Sequence, residues 1–541
     1  MTQMTGGTAV VQSMLAHGVK TLFGLPGVQN DWFYNALYDA REQINVIHTR
    51  HEQGAGYMAL GAAMSTGKPN VYAVVPGVGM LNASSALATA YSVNAPVLCF
   101  TGQIPTNTIG QGLGQLHEIP DQMGILERLT KWASNIPSPA DAPQKVASAF
   151  HQLQNGRPRP VALECPMDVL AATEEVGDIF VSIAPESPTV DEDKIAEAAK
   201  LLGAAKNPLI FVGSGAIGAR EAVRELAETL QAPVISNSSG SGILSSRHYL
   251  SMKMPAGHAL WERTDVVIKL GTRQHRYHSS WGIDDQIKII HIDIDPTEHD
   301  RGHQSDLGLI SRCEDALPLL ISALAKHNTV RASRQEELED LQAEIADRMA
   351  YLEPQLSYLA AIRDVLPDDG YFVRDVTQLG YVSGFAWPSY EPRTYVSPGY
   401  QGTLGWGYAT SLGVQAANPD KAVVTVCGDG GFMFTVQELA TAVQHKLNTV
   451  TLVFNDGAFG NVKRMQQEMY DGRLIATDLK NPNFVKLAEA FGAQGLYATT
   501  PDEVRAAIEK GLSSSVPTLI EVPIGEVPSP WPMVMLKRNR G

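Results

Sequence analysis

The segment Val423–Phe459 reads VVTVCGDGGFMFTVQELATAVQHKLNTVTLVFNDGAF, and its residue types suit phosphate and metal chemistry. Asp429 offers hard carboxylate oxygens of the kind that Mg²⁺ or Ca²⁺ takes. Gly428, Gly430 and Gly431 let backbone N–H groups approach a phosphate with no side chain in the way. The helix expected to follow adds its own free N–H groups. After 24 intervening residues a second polar pair arrives, Asn455-Asp456. A metal-bridged diphosphate is the natural guest of such a turn. Gly-Asp-Gly alone is as readily an ordinary βα turn; the second pair is what favours a ligand.

These residues need elements to hold them. An apolar run ends at Cys427, and Thr435-Val-Gln-Glu438 reads as a capping box opening a helix. A helix of about 12 residues spans roughly 18 Å. A return strand of about six residues covers roughly 20 Å, so the chain comes back to the level it left. A right-handed crossover then places Asp429 and Asn455-Asp456 at the carboxyl ends of neighbouring parallel strands, where open α/β sheets bind ligands.

The same alternation runs through all 541 residues. In residues 1–175, Lys20–Gly24, Ile44–Thr49, Val71–Val75, Pro96–Gly102 and Pro160–Glu164 read as buried strands, with helical stretches such as Gln53–Ser65 and Ala83–Ser92 between them. Ser182–Val190 reads as a linker. A second block, 190–330, has strands at Pro208–Val212, Pro233–Ser236, Asp265–Leu270 and Lys288–Asp293. The polar helix Ser333–Tyr351 leads out of it. A third block, 355–541, has strands at Tyr371–Arg374, Ala422–Val426, Thr449–Phe454 and Thr518–Val522, and a tail Lys537–Arg540 expected to be solvated and frayed. The fold class is α/β, three domains each built on a largely parallel sheet flanked by helices.

Composition narrows the function. Lys and Arg number 42 against 57 Asp and Glu, a net charge of −15, which argues against a broad nucleic-acid surface. Cys99, Cys165, Cys313 and Cys427 are far apart and show no C-x-x-C spacing, so neither a disulfide framework nor a thiolate zinc site is expected. No apolar run approaches membrane length, and the opening residues lack a signal-peptide pattern. A soluble cytoplasmic protein is the expectation.

GDG followed about 25 residues later by Asn-Asp resembles the signature of thiamine diphosphate-dependent enzymes. Leu22–Asn30 (LFGLPGVQN), Thr49–Ala63 (TRHEQGAGYMALGAA), Lys288–Pro296 (KIIHIDIDP), Gln401–Gly407 (QGTLGWG) and Pro530–Val534 (PWPMV) look like the acetohydroxyacid synthase branch of that superfamily. The resemblance implies pyrimidine-binding, central and diphosphate-binding domains in that order, with thiamine diphosphate and Mg²⁺ as cofactors. It makes Asp429 the first metal ligand, Asp456 the second and the Ala458 carbonyl the third. A shifted register would promote Asn455 and Gly457 instead. The diphosphate would also meet Gly428, Gly430, Gly431 and Phe459, with Gln378 contacting it from the start of the third block.

By the same resemblance Glu52 hydrogen-bonds the aminopyrimidine and promotes C2 ylid formation, and burial is expected to raise its pKa. Leu404 supports the bent cofactor and Gly402 offers a carbonyl. His117 stands where the synthases carry a glutamine. It is either a general acid/base, with Gln29 and Asn30 orienting a carbonyl, or a structural histidine. Gly213–Gly218 has a formal G-x-G-x-x-G pattern but no ribose-binding acid, so it reads as close packing. Met254–His258 and Arg273–Tyr277 depart from the usual FAD segments, and an empty central site is expected.

The implied reaction is decarboxylation of a 2-oxo acid such as pyruvate through an ylid and an enamine, then ligation to a second carbonyl as in acetolactate synthase. Alternatives are C–C cleavage or decarboxylation of another 2-oxo or 2-hydroxyacyl substrate, a nicotinamide dehydrogenase using residues 213–218, and a cofactor-binding protein without chemistry. The resemblance also implies a homodimer or homotetramer, with the cofactor gripped across a subunit interface.

Overall fold

The computed structural model describes residues 2–184, 186–273 and 280–541. It divides into two compact units. Met1–Glu186, Pro398–Thr499 and Ala506–Pro523 make one; Ser187–Ser397, Thr500–Arg505 and Ile524–Gly541 make the other. The architecture is α/β, built on three largely parallel sheets flanked by helices.

The first unit carries a sheet in the order Asn45–His48, Thr21–Gly24, Asn70–Val74, Val97–Gln103, Val161–Pro166, Trp132–Asn135, every pair parallel. Val97–Gln103 is buried along its whole length, as a strand covered on both faces must be. An antiparallel ribbon of Thr2–Thr5 with Thr173–Val176 joins the two ends of this block. The unit also contains Val423–Gly428, Val450–Asn455, Thr518–Pro523 and Gln494–Tyr497, parallel neighbours in that order.

Two helices rich in small residues tie these sheets together. Glu52–Thr66 is buried on nearly every side, and Trp406–Ala417 likewise. They cross at backbone contact: a Cβ added at Gly61 would lie 2.1 Å from the Thr410 carbonyl oxygen, and one at Gly413 would lie 1.9 Å from that of Met58. Any side chain there would hold the helices apart.

In the second unit the sheet order is Ser251–Met252, Val234–Ser236, Pro208–Val212, Val266–Leu270, Lys288–Asp293, Leu307–Ile310, again all parallel. Tyr371–Arg374 and Tyr395–Val396 form a further parallel pair. Gln335–Met349 buries only Leu338 and Ile345, in keeping with its polar surface. Cβ atoms at Gly213 and Gly215 would collide with Gly271, and one at Gly218 with the Glu314 carboxylate. The residues after Gly213 make a 3-10 turn, Ser214–Ala219, before the helix Arg220–Leu230 opens. The glycines are therefore used against the protein's own atoms, which leaves the dehydrogenase reading without a phosphate-binding turn. Met254–His258 opens the helix Met254–Trp261; of the segment Arg273–Tyr277, residues 274–277 lie outside the described residues.

The tail corrects an expectation. Arg540 is 8% exposed, and its guanidinium donates to the carbonyls of Trp261 (2.9 Å) and Thr264 and pairs with Asp284 at 2.9 Å. The Asn539 amide donates to the His258 carbonyl. Charge alone suggested solvation, but three anchored acceptors offset the cost of burying this cation.

Candidate active site

Val423–Gly428 and Val450–Asn455 pair in parallel with Gly428 opposite Phe454, so Asp429 and Asn455-Asp456 leave the sheet at the same edge. Asp429 is 1% exposed and opens the short helix Asp429–Met433. Gly428 precedes that helix, and Gly430 and Gly431 are buried within it. A Cβ at Gly430 would press on the Phe459 ring at 2.7 Å. The crossover differs from the expected single helix. A second piece, Glu438–Gln444, follows the first, and Thr435 and Glu438 make no capping box. The Thr435 hydroxyl donates to the Gly405 carbonyl at 3.0 Å. The Glu438 carboxylate reaches instead to the backbone of Arg50 and His51.

Asn455 and Asp456 are used differently. Asn455 is committed inside the protein. Its Nδ2 donates to Glu521 Oε1 at 2.9 Å, and its Oδ1 accepts from Asn481 Nδ2 at 2.9 Å and from the Gly457 amide at 3.3 Å. The same Asn481 nitrogen donates to Asp429 Oδ2 at 2.5 Å. Asp456 accepts from the Ala458 amide at 3.2 Å, across a turn made by Gly457 with φ +65°. Desolvation and then the Asp429 charge push the Asp456 carboxyl up to about 6. The residue keeps an exposed edge, which weakens the first cause and leaves the neighbouring charge as the firmer one. Two carboxylates that repel each other, beside the Ala458 turn, form an oxygen-only donor set suited to a hard divalent cation. Among the described residues no three His, Cys, Asp or Glu side chains form a metal cluster, so backbone oxygen would complete the set.

Glu52 begins the helix Glu52–Thr66, after His51, whose Nδ1 accepts from the Gln53 amide. It is half-buried, and its Oε2 accepts from Asn82 Nδ2 at 3.0 Å. Gln29 and His117 meet: Gln29 Nε2 donates to the Leu116 carbonyl at 2.8 Å, and Gln29 Oε1 lies 3.1 Å from His117 Nδ1. That amide oxygen can only accept, so His117 Nδ1 is the donor of the pair. His117 has φ +66°, and its carbonyl packs against Gly77, where a Cβ would lie 2.1 Å from it. Asn30 does not point a donor outward. It is fully buried, and its Nδ2 donates to the Val74 carbonyl at 2.9 Å. Gly402 (φ +57°) has open space around it, and Leu404 is half-buried in the same loop. Gln378 opens the helix Gln378–Ala386 in the second unit.

Residues 4–125, 195–320 and 375–522 match the models of the N-terminal, central and C-terminal domains of thiamine pyrophosphate enzymes. The chain belongs to the thiamine pyrophosphate enzymes. Within them it falls in the acetolactate synthase-like branch. It is 32% identical over 546 residues to the acetolactate synthase isozyme 1 large subunit of Escherichia coli, covering 98% of this chain and 96% of that one. A probable acetolactate synthase large subunit of Methanocaldococcus jannaschii is 31% identical, over 96% of this chain and 92% of the relative. A probable 2-ketoarginine decarboxylase of Pseudomonas aeruginosa is also 31% identical, over 96% and 94%.

Several residues of this thiamine pyrophosphate enzyme escaped the sequence reading. Asn481 links Asp429 to Asn455, and Asn82 holds Glu52. Glu164, 5% exposed, accepts from Gln122 and Gln103, while Gln122 Oε1 takes the Gly77 amide at 2.7 Å and so braces the turn against His117. Burial raises the Glu164 pKa, offset in part by those two amides. A lone Asn before a proline or a Glu inside an apolar strand carries no spacing signal; only the fold brings these groups to the site.

Proposed function

We propose that the chain decarboxylates a 2-oxo acid such as pyruvate and ligates the remaining fragment to a second carbonyl, as an acetolactate synthase-like carboligase using thiamine diphosphate and Mg²⁺. The observation that carries this reading is the facing of Asp429 and Asp456 at one sheet edge, in a chain with the family's three domains. Asp429, Asp456 and the Ala458 carbonyl would hold the cation. Gly428, Gly430, Gly431 and Phe459 would meet the diphosphate, and Gly402 and Leu404 the rings. Bound there, thiamine diphosphate supplies a carbon nucleophile and an electron sink for the decarboxylation.

The chain's own groups do the rest. With Oε2 engaged by Asn82, Glu52 has Oε1 to hold a proton against the pyrimidine ring nitrogen. His117, whose Nδ1 donates to Gln29, has Nε2 to take or return a proton at the substrate oxygen. Asn30 acts by fixing the loop that carries Gln29 rather than by touching substrate. The relative named as a probable 2-ketoarginine decarboxylase supports a second reading, release of an aldehyde without ligation.

A homodimer or homotetramer fits the apolar side chains left exposed beside the site, Val78 and Leu81 near Glu52 and Phe434 near the glycine turn. Four buried cysteines, in no disulfide among the described residues, suit a cytoplasmic setting. No helix among the described residues is long and apolar enough to cross a membrane. The test is direct. The protein should bind thiamine diphosphate only with Mg²⁺ and exchange its C2 hydrogen with solvent, and Glu52→Gln should abolish exchange while sparing binding. Acetolactate from pyruvate supports ligation; free aldehyde alone refutes it, and cofactor binding without exchange in the unaltered protein refutes the enzyme reading.

A further inference from the structure

Glu438 is a buried carboxylate with no part in the chemistry above. It is 0% exposed and opens the helix Glu438–Gln444, nine positions after Asp429 in the chain. Its Oε1 accepts from the His51 amide at 3.1 Å and its Oε2 from the Arg50 amide at 3.2 Å; Oε2 also takes the Thr441 hydroxyl at 2.6 Å. The contact is close enough to dictate a neighbour. A Cβ at Gly54 would lie 2.5 Å from Oε1, so the first turn after Glu52 has to be bare where the carboxylate lies.

The same helix grips the segment twice more. Arg50 donates to Gln444 Oε1 at 3.0 Å, and Gln444 Nε2 lies 3.0 Å from His48 Nε2. Residues 48–54, which include Glu52, are thus held by an element that the sequence places next to the turn beginning at Asp429. A buried carboxylate aimed at two backbone N–H groups makes charge-assisted hydrogen bonds, roughly twice as strong as neutral ones and strict in geometry. It costs burial of a charge, which packing alone would not require.

We propose that Glu438 is a positioning residue for Glu52: its clamp on the Arg50 and His51 amides sets where the Glu52 side chain leaves the backbone, and so ties the proton-holding acid to the turn that begins at Asp429. The inference rests on the reading of Glu52 given above. A misplacement of about 1 Å at a reacting group can cost on the order of a hundredfold in rate. The effect of losing the clamp therefore belongs to proton exchange, not to cofactor affinity.

The experiment uses the full chain, thiamine diphosphate and Mg²⁺ as probes, and three variants. Glu438→Gln keeps the size and one acceptor oxygen; Thr441→Val removes the hydroxyl that orients the carboxylate; Glu438→Ala removes the clamp. C2 hydrogen exchange, cofactor affinity and thermal midpoint are read on each. The expected result is exchange slowed about tenfold in Glu438→Gln and less in Thr441→Val, with cofactor affinity within about threefold of the unaltered protein. Glu438→Ala should slow exchange further, if it folds. Unchanged exchange in Glu438→Gln and Thr441→Val, with only the thermal midpoint lowered, overturns the proposal and makes Glu438 a structural acid. Equal losses of exchange and affinity overturn it as well. If the unaltered protein fails to exchange, the functional reading falls first and this inference with it.

Discussion

The crossing of Glu52–Thr66 with Trp406–Ala417 allows a quantitative test. Gly61→Ala and Gly413→Ala would put a methyl carbon 2.1 Å and 1.9 Å from carbonyl oxygens of the facing helix. A relaxed contact between carbon and a backbone oxygen is roughly 3.3 Å, so the helices must part by more than an ångström. Neither obstacle is a side chain that could swing away. Overpacking typically costs about 1–3 kcal/mol, and a gap of that width also forfeits a quarter to a half of the dispersion along the seam. Against this, alanine gains about 1 kcal/mol over glycine in a helix interior. A net loss of about 1–3 kcal/mol per variant follows once the lost dispersion is included, or a midpoint lowered by roughly 2–5 °C. Both methyls demand the same separation, so the double variant should lose clearly less than the two losses added. Gly177→Ala, with open space around the position, serves as the control and should shift nothing measurable. Differential scanning fluorimetry gives the midpoints and urea titration the free energies. Either variant as stable as the parent, or strict additivity of the pair, would refute the account of this seam.

Proton competition gives a second expectation. Below about 6 the Asp456 carboxyl holds a proton that must leave when a cation binds. Mg²⁺ affinity should be nearly level from pH 7 upward and about tenfold weaker at pH 5, and isothermal titration in buffers of different ionisation enthalpy should detect the released proton. Without cation the sign of the stability term is the reverse: a carboxyl with a raised pKa favours the folded state below the unfolded value and loses that contribution as pH rises through about 6. Asp456→Asn should remove both dependences. Arg540→Ala strands the carbonyls of Trp261 and Thr264 and leaves Asp284 without its cation; a loss of about 2–3 kcal/mol is expected in urea unfolding, where an unchanged midpoint would return the tail to solvent.

The legible part of the molecule was the part written in short range. Val423–Gly428 and Val450–Asn455 are continuous apolar runs ending at Gly or Asn, with Asp429 and Asp456 just past their ends, so spacing alone put Asp429 beside Asn455-Asp456. Brief or half-exposed strands such as Trp132–Asn135 and Leu307–Ile310 lacked that pattern. Glu438 misled because its local spacing from Thr435 matches a capping box, whereas its true partners are 387 and 388 positions away. Asn455 is occupied by Asn481 and Glu521, and nothing near either residue in sequence announces that. Arg540 misled for the opposite reason, since a basic tail is solvated by default and only three waiting acceptors make it otherwise.

The docked tail sets an order of assembly. The carbonyls that receive Arg540 belong to the stretch around Trp261–Thr264, which leaves the ribosome some 280 residues earlier, at roughly 5–20 residues per second. For on the order of half a minute that middle stretch lacks the cation its carbonyls receive in the finished fold. The stretch around Trp261–Thr264, translated long before Arg540, therefore reaches its finished form only after that residue has been made.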